Sequence, residues 1–396
     1  MTDFSQDEMA HAEAVLAQVQ EDWLQREGVT AVDLGYKWSK GEMTGQLAIR
    51  VHLAHKKPLE ELSESDLFPR EVDGVPVDVI EATYGLQAAS ETDWGEAQLE
   101  AAIDGRNRRF DPIPLGVSIG SPRVTAGTLG AKVYDANTQE EMILSNWHVM
   151  VGSLQAQPGD PVWQPGRLDG GRAADVIATI SRSVLGPFDA AVCKVTGDRP
   201  IQNQTLEGRA IEGATKPRLG MRVWKSGRTT GLTEGFIDGI MMTVPLNYNA
   251  AGVRQLQRVM RIVPRPGAGP IEVSLGGDSG SIWVDEASGL AVGLHFAGEV
   301  GDAPEHALAN DIVAVTEHLN VLFPTQAAPP EPPPPEEPVP PVEPTPPEPP
   351  EEPTPPKPPE EPIPPEPPKE PTPPPPLPKK SFWQQLRDFF RSLFGG

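Results

Sequence analysis

The most informative stretch of this sequence is Gly276-Gly277-Asp278-Ser279-Gly280-Ser281, where glycines surround one serine. Glycine has no Cβ, so the stretch can form a tight turn with backbone amides that point into one small space. The amides of Gly277 and Ser279 can stabilise an oxyanion that develops there. This turn is therefore the strongest signal for a nucleophilic serine.

Two other stretches hold the remaining groups that serine hydrolysis requires, an imidazole to take the proton and a carboxylate to hold the imidazole. His148 stands in Leu144-Ser145-Asn146-Trp147-His148-Val149, at the end of an apolar strand. Asp189 stands in Phe188-Asp189-Ala190-Ala191-Val192, at the start of another. Between residues 113 and 300, short apolar runs alternate with Gly-rich turns, which is typical of an antiparallel barrel or sandwich.

These motifs, in the order His, Asp, Ser, resemble the chymotrypsin-fold (trypsin-like) serine protease family over residues 113–324. The resemblance implies a mostly β fold with two antiparallel six-stranded β-barrels, over residues 113–205 and 206–323, and a closing helix over about 306–322. It implies that His148 is the general base, Asp189 its orienting carboxylate and Ser279 the nucleophile. It also implies an oxyanion hole from the amides of Gly277 and Ser279.

The resemblance extends to bacterial, cytoplasmic-looking members of that family. Residues 223–231 and 292–298 are similar to second-barrel strands of such members. Residues 29–86 look like the small α/β leader domain that some of them carry. The sequence itself gives no role for this domain.

Substrate preference also follows from the resemblance. Basic-selective members have an aspartate where this chain has Val273, so a preference for Lys or Arg is disfavoured. Ser274 and His295 are similar to the residues with which bacterial glutamyl endopeptidases bind a carboxylate. The alternative interpretation is that His295 is a residue at the edge of the core.

The mode of activation stays open at this level. In activated secreted members, the residue equivalent to Asp278 pairs with a new N-terminus that proteolysis frees. The candidate junction here is Arg108-Arg109-Phe110-Asp111-Pro112-Ile113. The alternative to a serine endopeptidase is an inactive or weak protease-fold scaffold that acts through protein or membrane interaction.

The N-terminal part begins with a capping box, Ser5 with Glu8, followed by apolar residues on one helical stripe. We predict an amphipathic helix over 1–28, a hairpin from the runs 29–37 and 46–51, a short helical stretch near 59–67 and a third strand over 75–79. A polar, helical connector is expected over 87–112.

The C-terminal part has a different composition. Of the 48 prolines, 31 fall within residues 324–380, which predicts a disordered polyproline II spacer. Residues 381–396 place seven apolar side chains on one helical face, with Lys379, Lys380, Arg387 and Arg391 nearby. This helix is expected to bind an anionic membrane surface, a protein partner or the protease domain itself.

Charge and cysteine content limit the remaining classes of function. The net charge of -23 makes nucleic-acid binding unlikely on electrostatic grounds. The single cysteine, Cys193, fits a reducing compartment, and no secretory signal or membrane span is expected. The expected partners are protein or peptide substrates, without cofactor or metal, and the expected location is cytoplasmic or peripheral to a membrane.

Overall fold

The structure is a computed structural model that describes residues 4–39, 41–86, 105–268, 271–300 and 306–324. These residues belong to one compact unit, Met1–Glu331. The predicted spacer beyond residue 324, the predicted helix over 381–396 and residues 87–104 of the predicted connector over 87–112 lie outside the described residues. Over the described ranges no helix is both long and apolar enough to cross a bilayer.

The prediction of a mostly β fold is confirmed. The strands are β1 (Val29–Ser39), β2 (Glu42–Leu53), β3 (Glu71–Val72), β4 (Val75–Glu81), β5 (Tyr84–Gly85), β6 (Ile113–Leu115), β7 (Ser118–Ile119), β8 (Gly127–Thr128), β9 (Ala131–Asp135), β10 (Glu141–Ser145), β11 (Pro161–Trp163), β12 (Val176–Leu185), β13 (Asp189–Val195), β14 (Ile201–Thr205), β15 (Arg222–Gly227), β16 (Gly231–Asn247), β17 (Val253–Val263), β18 (Ile282–Asp285), β19 (Ala291–Glu299), β20 (Ala307–Asp311) and β21 (Val321–Leu322). The α-helices are Gln6–Leu24, Trp147–Met150 and Ile312–Leu319. Short 3-10 helices are Leu59–Glu61, Glu64–Asp66, Arg167–Asp169, Ala173–Asp175 and Asn249–Ala251.

The first predicted barrel contains a six-stranded sheet in the order β11-β12-β13-β10-β9-β21. Its last strand comes from the far end of the described chain, because Val321 and Leu322 pair with Asp135 and Tyr134 of β9. The sheet therefore includes residues beyond the predicted boundary at 205. Its central strands β10 and β13 are largely buried; β13 begins at Asp189, and β10 ends at Ser145, three residues before His148.

The second barrel is a ring of six strands, β15-β18-β19-β20-β17-β16, that closes because β15 also pairs with β16. Trp283 and Phe296 are fully buried in this half of the molecule. Closure leaves few unpaired strand edges, which is how barrels protect their backbone polar groups. The ring fixes β18 and β19, the strands that follow the serine turn.

The predicted leader domain shares a sheet with this barrel. β1 pairs with the outer part of β16, at Val32 with Thr243 and Leu34 with Ile240, and the sheet continues through β2, β4 and β3. The N-terminal helix has the Ser5–Glu8 capping box and buries Ala12, Val15, Leu16 and Trp23 against these strands. The leader is thus an extension of the second barrel's sheet.

Two local predictions were wrong. Residues 307–311 were expected to belong to the closing helix, but Ala307–Asp311 is strand β20 between β17 and β19, and the helix is only Ile312–Leu319. A short apolar run does not show by its periodicity whether it forms a buried strand or a helix. The connector expected to be helical over 87–112 forms turns and bends in its described part, residues 105–112. The short helical stretch expected near 59–67 is present as two 3-10 helices.

A buried charged cluster holds the leader to the barrel. Arg50 donates a bidentate pair of hydrogen bonds to Asp33 of the leader, and its Nη1 lies 2.8 Å from Oδ2 of Asp238 in β16. Arg261 of β17 donates to the same Asp238 oxygen at 2.6 Å. Because an unpaired buried charge is costly, removing one member of this cluster would destabilise the junction between leader and barrel.

Candidate active site

His148 and Ser279 lie on one cavity of about 290 Å³. The strand β10 ends at Ser145 and a one-turn helix, Trp147–Met150, carries the histidine, while the serine turn precedes β18. The other lining residues are Leu86, Val124, Thr125, Ala126, Trp147, Gly152, Ser153, Leu154, Gln155, Tyr248, Asn249, Ala250 and Ala251. The fold therefore brings the predicted nucleophile and the predicted base to the same space.

Asp189 holds the backbone and the ring of His148. Its side chain is fully buried, Oδ1 accepts from the His148 amide at 3.1 Å, and Oδ2 accepts from Nδ1 of the ring. Asn146 Nδ2 donates to the Asp189 carbonyl at 2.8 Å, and the Asp189 amide donates to Asn310 Oδ1 at 3.1 Å. With Nδ1 donating to the carboxylate, Nε2 is the nitrogen that can accept a proton.

Tyr248 is a site residue that the sequence reasoning missed. Its hydroxyl donates to Asp189 Oδ2 at 2.8 Å, and burial together with the Asp189 charge raises the pKa of Tyr248, so the hydroxyl stays protonated. The ring of Trp147, the residue before His148, stands edge-on to the Tyr248 ring with 6.5 Å between the ring centroids. No local motif marks Tyr248, because it reaches the site only through the hairpin of β16 and β17.

The hydrogen bond between Ser279 and His148 is not formed. Ser279 Oγ and His148 Nε2 are both buried, and neither has a hydrogen-bond partner among the described residues. Catalytic hydrogen bonds are often long in the absence of substrate and tighten in the complex. Two polar atoms without hydrogen-bond partners among the described residues therefore belong to residues that line one cavity.

Two threonine hydroxyls fix the peptide groups of the serine turn. Thr229 Oγ1 donates to the Gly276 carbonyl at 2.7 Å, and Thr128 Oγ1 donates to the Gly277 carbonyl at 2.9 Å. Because a trans peptide is planar, fixing the Gly276 carbonyl also fixes the Gly277 amide on the opposite side. Gly277 has a φ of 101°, a conformation that favours glycine. Neither the Gly277 nor the Ser279 amide donates to an acceptor within the described part of the chain.

Arg228 holds both threonines in place. Its Nη1 donates to Thr229 Oγ1 at 3.1 Å, and its backbone amide donates to Thr128 Oγ1 at 2.9 Å. The rest of its guanidinium makes two 2.6 Å bonds to the buried carboxylate of Asp169. The turn geometry thus rests on a chain of bonds from Asp169 through Arg228 to the two hydroxyls.

Asp278 is paired with an internal cation. Lys225 Nζ lies 3.1 Å from Asp278 Oδ2, and the same carboxylate accepts from the amides of Thr229 and Thr230 and from the Thr230 hydroxyl. Burial alone raises the pKa of Asp278, but the Lys225 charge and the bonds from Thr230 outweigh it and lower that pKa to about 2. The carboxylate next to Ser279 is therefore ionised and fully satisfied without a free N-terminus.

The residues predicted for the specificity pocket do not line the cavity that holds His148 and Ser279. Val273, Ser274 and His295 are each fully buried, with Val273 in the core of the second barrel. The His295 ring stands edge-on to Trp283, and burial together with the Lys225 charge lowers the pKa of His295 to about 3. His295 is therefore neutral at neutral pH. It touches the serine turn through its backbone, since its amide donates to Ser281 and its carbonyl accepts from Gly280.

Comparison with known proteins gives solved structures only. No protein-family model and no curated protein sequence matches the chain. The chain is similar to a glutamic-acid-specific serine protease that uses a histidine triad in substrate binding, with 17% identity and a TM-score of 0.40 over 53% of this chain and 100% of that chain. It is similar to Nocardiopsis protease, with 18% identity and a TM-score of 0.41 over 55% of this chain and 100% of that chain. It is also similar to Cellulomonas bogoriensis chymotrypsin, with 17% identity and a TM-score of 0.39 over 55% of this chain and 100% of that chain.

Proposed function

We propose that this protein is a serine endopeptidase that uses Ser279, His148 and Asp189. The observation that carries the proposal is the buried Asp189 carboxylate on Nδ1 of His148, with Nε2 and Ser279 Oγ on one cavity and without partners among the described residues. A buried carboxylate makes the imidazolium that forms during proton transfer less costly. A bound substrate would supply the hydrogen-bond partners that Nε2 and Oγ lack.

The reaction follows from these atoms. His148 Nε2 takes the proton of Ser279 as Oγ bonds to the substrate carbonyl carbon, and the amides of Gly277 and Ser279 hold the resulting oxyanion. Collapse breaks the C–N bond, and the leaving amine takes the proton from Nε2. Water then repeats the sequence on the acyl-enzyme, which releases the acid and restores Ser279.

The proposal includes activity without proteolytic activation. Lys225 supplies the positive charge for Asp278 from within the second barrel, and both side chains are completely buried. A new N-terminus has no unpaired carboxylate to bind at this position. The candidate junction at residues 108–113 is therefore not needed to order the serine turn.

Cleavage after Lys or Arg is disfavoured. Among the described lining residues of the cavity there is no Asp or Glu, so a cationic side chain would be buried there without a partner. The glutamate preference stays a separate proposal that depends on His295 and Ser274. It requires substrate binding to open a path to these two buried side chains, and cleavage profiling of a His295→Gln variant tests it.

Labelling with a fluorophosphonate probe tests the function. We expect the intact chain to be labelled on Ser279, with an unprocessed N-terminus in the mass spectrum of the labelled protein. Ser279→Ala should abolish labelling, whereas Ser281→Ala, two residues away in the same turn, should retain it. Labelling that survives Ser279→Ala would refute the proposal.

A specific observation favours a second function, an inactive protease-fold scaffold. Ser279 and His148 make no hydrogen bond with each other, as expected of a protein that keeps the fold without the activity. Absence of labelling in a folded, full-length protein at every pH from 6 to 9 would support the scaffold.

The C-terminal helix and the location of the protein are proposals from sequence. The apolar face of residues 381–396 would place the protease at an anionic membrane or on a partner protein, in a cytoplasmic compartment. Flotation with phosphatidylserine vesicles should succeed for the unmodified full-length chain and for Gln384→Glu, and fail for full-length Phe389→Glu/Phe390→Glu. Equal flotation of all three proteins would contradict membrane binding by this face.

A further inference from the structure

The hydrogen-bonding partner on one edge of β19 changes along the strand. β18 pairs with β19 up to Leu294. The serine turn pairs with the next residue, since the Gly280 amide donates to the His295 carbonyl and the His295 amide donates to the Ser281 carbonyl. Beyond His295 this edge continues along Phe296 and Ala297 to Glu299. A strand edge of this kind binds extended peptides through main-chain hydrogen bonds.

The chain's own segment Thr83, Tyr84, Gly85 and Leu86 occupies the outer part of this edge. Gly85 is paired with Gly298 and Tyr84 with Glu299 in antiparallel register, and the Val300 amide donates to the Thr83 carbonyl at 2.8 Å. This register directs the segment toward the serine turn as it runs from Thr83 to Leu86. Leu86 then lies on the cavity that His148 and Ser279 line.

The leader anchors this segment from the other side. Thr30 Oγ1 donates to the Ala82 carbonyl at 2.6 Å, and the Ala82 amide donates to the Leu53 carbonyl at 2.9 Å. The Tyr84 hydroxyl lies 2.7 Å from His52 Nδ1. Burial raises the pKa of Tyr84 above its usual range and lowers that of His52, so the contact joins two neutral groups.

We propose that the chain's own segment Thr83 to Leu86 is a resident occupant of the β19 edge over Gly298, Glu299 and Val300, where it competes with extended peptides. The segment has the direction of a peptide whose next carbonyl approaches Ser279, and it presents an aliphatic side chain to the cavity. In the intact chain it therefore competes with other peptides for this edge. The leader domain acts as the support that holds this occupant, and the proposal rests on the proposed peptidase function.

Intramolecular tethering makes the occupant effective. A tethered segment acts at an effective concentration of about millimolar, so a free peptide must compete with it. When the edge is open one tenth of the time, the apparent affinity for a free peptide falls about tenfold. Variants that weaken the segment should therefore bind peptide more tightly.

Peptide binding tests the proposal independently of catalysis. The probe is the fluorescein-labelled peptide Ala-Thr-Tyr-Gly-Leu, the sequence of residues 82–86, and anisotropy is measured on full-length Ser279→Ala protein. The opening variant is Gly85→Val with Leu86→Asp. A Cβ at Gly85 would meet Val300 Cγ2 at 2.8 Å, and the carboxylate introduced in place of Leu86 would be desolvated in the cavity. Leu67→Asp, an exposed leucine of the same leader, is the matched control.

We expect binding at least tenfold tighter in the opening variant than in the Leu67→Asp control. Equal affinity, or no binding by any variant, would overturn the proposal.

A disulfide that holds the segment on β19 tests the converse prediction, that a fixed segment blocks peptide binding. Gly85→Cys with Gly298→Cys places two cysteines at paired positions of an antiparallel ladder, within the Cα separation that a disulfide allows. Oxidation should abolish peptide binding, and reduction should restore it. Binding that is unchanged by oxidation would overturn the proposal, whereas fluorophosphonate labelling of Ser279 would still support the peptidase function by itself.

Discussion

Lys225 and Asp278 form an ion pair inside the second barrel, with 3.1 Å between Nζ and Oδ2 and no exposed surface on either side chain. Asp278 directly precedes Ser279, so the pair positions the turn that carries the proposed nucleophile. Lys225 belongs to β15, so the barrel strand itself provides the positive charge beside Asp278, and no newly cleaved N-terminus is required for it.

Loss of the cation should destabilise the fold. Lys225→Met leaves a buried carboxylate unpaired, and we expect the free energy of unfolding to fall by about 3–5 kcal/mol. Lys225→Met with Asp278→Asn should recover part of this loss, because the unpaired charge is gone. Urea unfolding of the single and double variants measures both effects, with Lys216→Met on the surface as the control. A loss for the single variant no larger than the control's would contradict the role of the pair.

Acid should weaken the fold through Asp278. The pKa of this carboxyl is about 2 in the folded protein and about 3.9 in the unfolded chain, so its contribution is complete above pH 4 and is lost as pH falls toward 2. This difference in pKa corresponds to a contribution of about 2–3 kcal/mol. Unfolding free energies measured from pH 5 to pH 2 should show a smaller decline for Asp278→Asn. Identical pH profiles for the two proteins would contradict the assignment.

The bonds to Asp189 should control turnover. Asp189→Asn disturbs the tautomer of His148, and we expect kcat to fall about 10⁴-fold. Tyr248→Phe removes one donor to the carboxylate and should lower kcat about tenfold. Peptide hydrolysis measures both, and Tyr134→Phe on β9 is the control for loss of a tyrosine hydroxyl. An unchanged kcat in Tyr248→Phe would mean that its hydrogen bond to Asp189 does not contribute to turnover.

Thr229 is expected to be a positioning residue for the oxyanion hole. Thr229→Val keeps the shape of the side chain and removes its bond to the Gly276 carbonyl, which frees the Gly277 amide to turn away. We expect kcat to fall about 10² to 10³-fold, the effect of losing one oxyanion donor, with KM nearly unchanged. Thr229→Ser, which retains the hydroxyl, should restore most of the rate. A rise in KM at constant kcat would instead indicate a role in substrate binding.

Cleavage profiling on a peptide library tests the preference of the cavity. Its described lining is rich in aliphatic and aromatic residues and contains no acidic side chain. We expect aliphatic residues to be enriched near the scissile bond and Lys and Arg to be depleted before it. Dominance of Lys or Arg at that position would contradict the proposed preference.

The sequence alone predicted the class of fold and the three residues His148, Asp189 and Ser279, because their motifs are local and short. Each motif is contained within about six residues of sequence: glycines around a serine, a histidine after a strand, and an aspartate before a strand. The capping box at Ser5 and Glu8 is equally local. Residues 307–311 were wrongly predicted as helix because no local motif marks them as a strand. They form a strand because they pair with β17 and β19, which are distant in sequence.

Only the tertiary structure revealed the partners of these motifs. Tyr248 on Asp189, Lys225 on Asp278 and Thr229 on the serine turn are joined across 49 to 59 residues by packing that no local pattern records. Leu86 reaches the cavity because the leader extends the sheet of the second barrel and delivers its last strand to β19. Local sequence thus determined which side chains are candidates for the chemistry, whereas long-range strand pairing decided what orients them and which segment lies beside them.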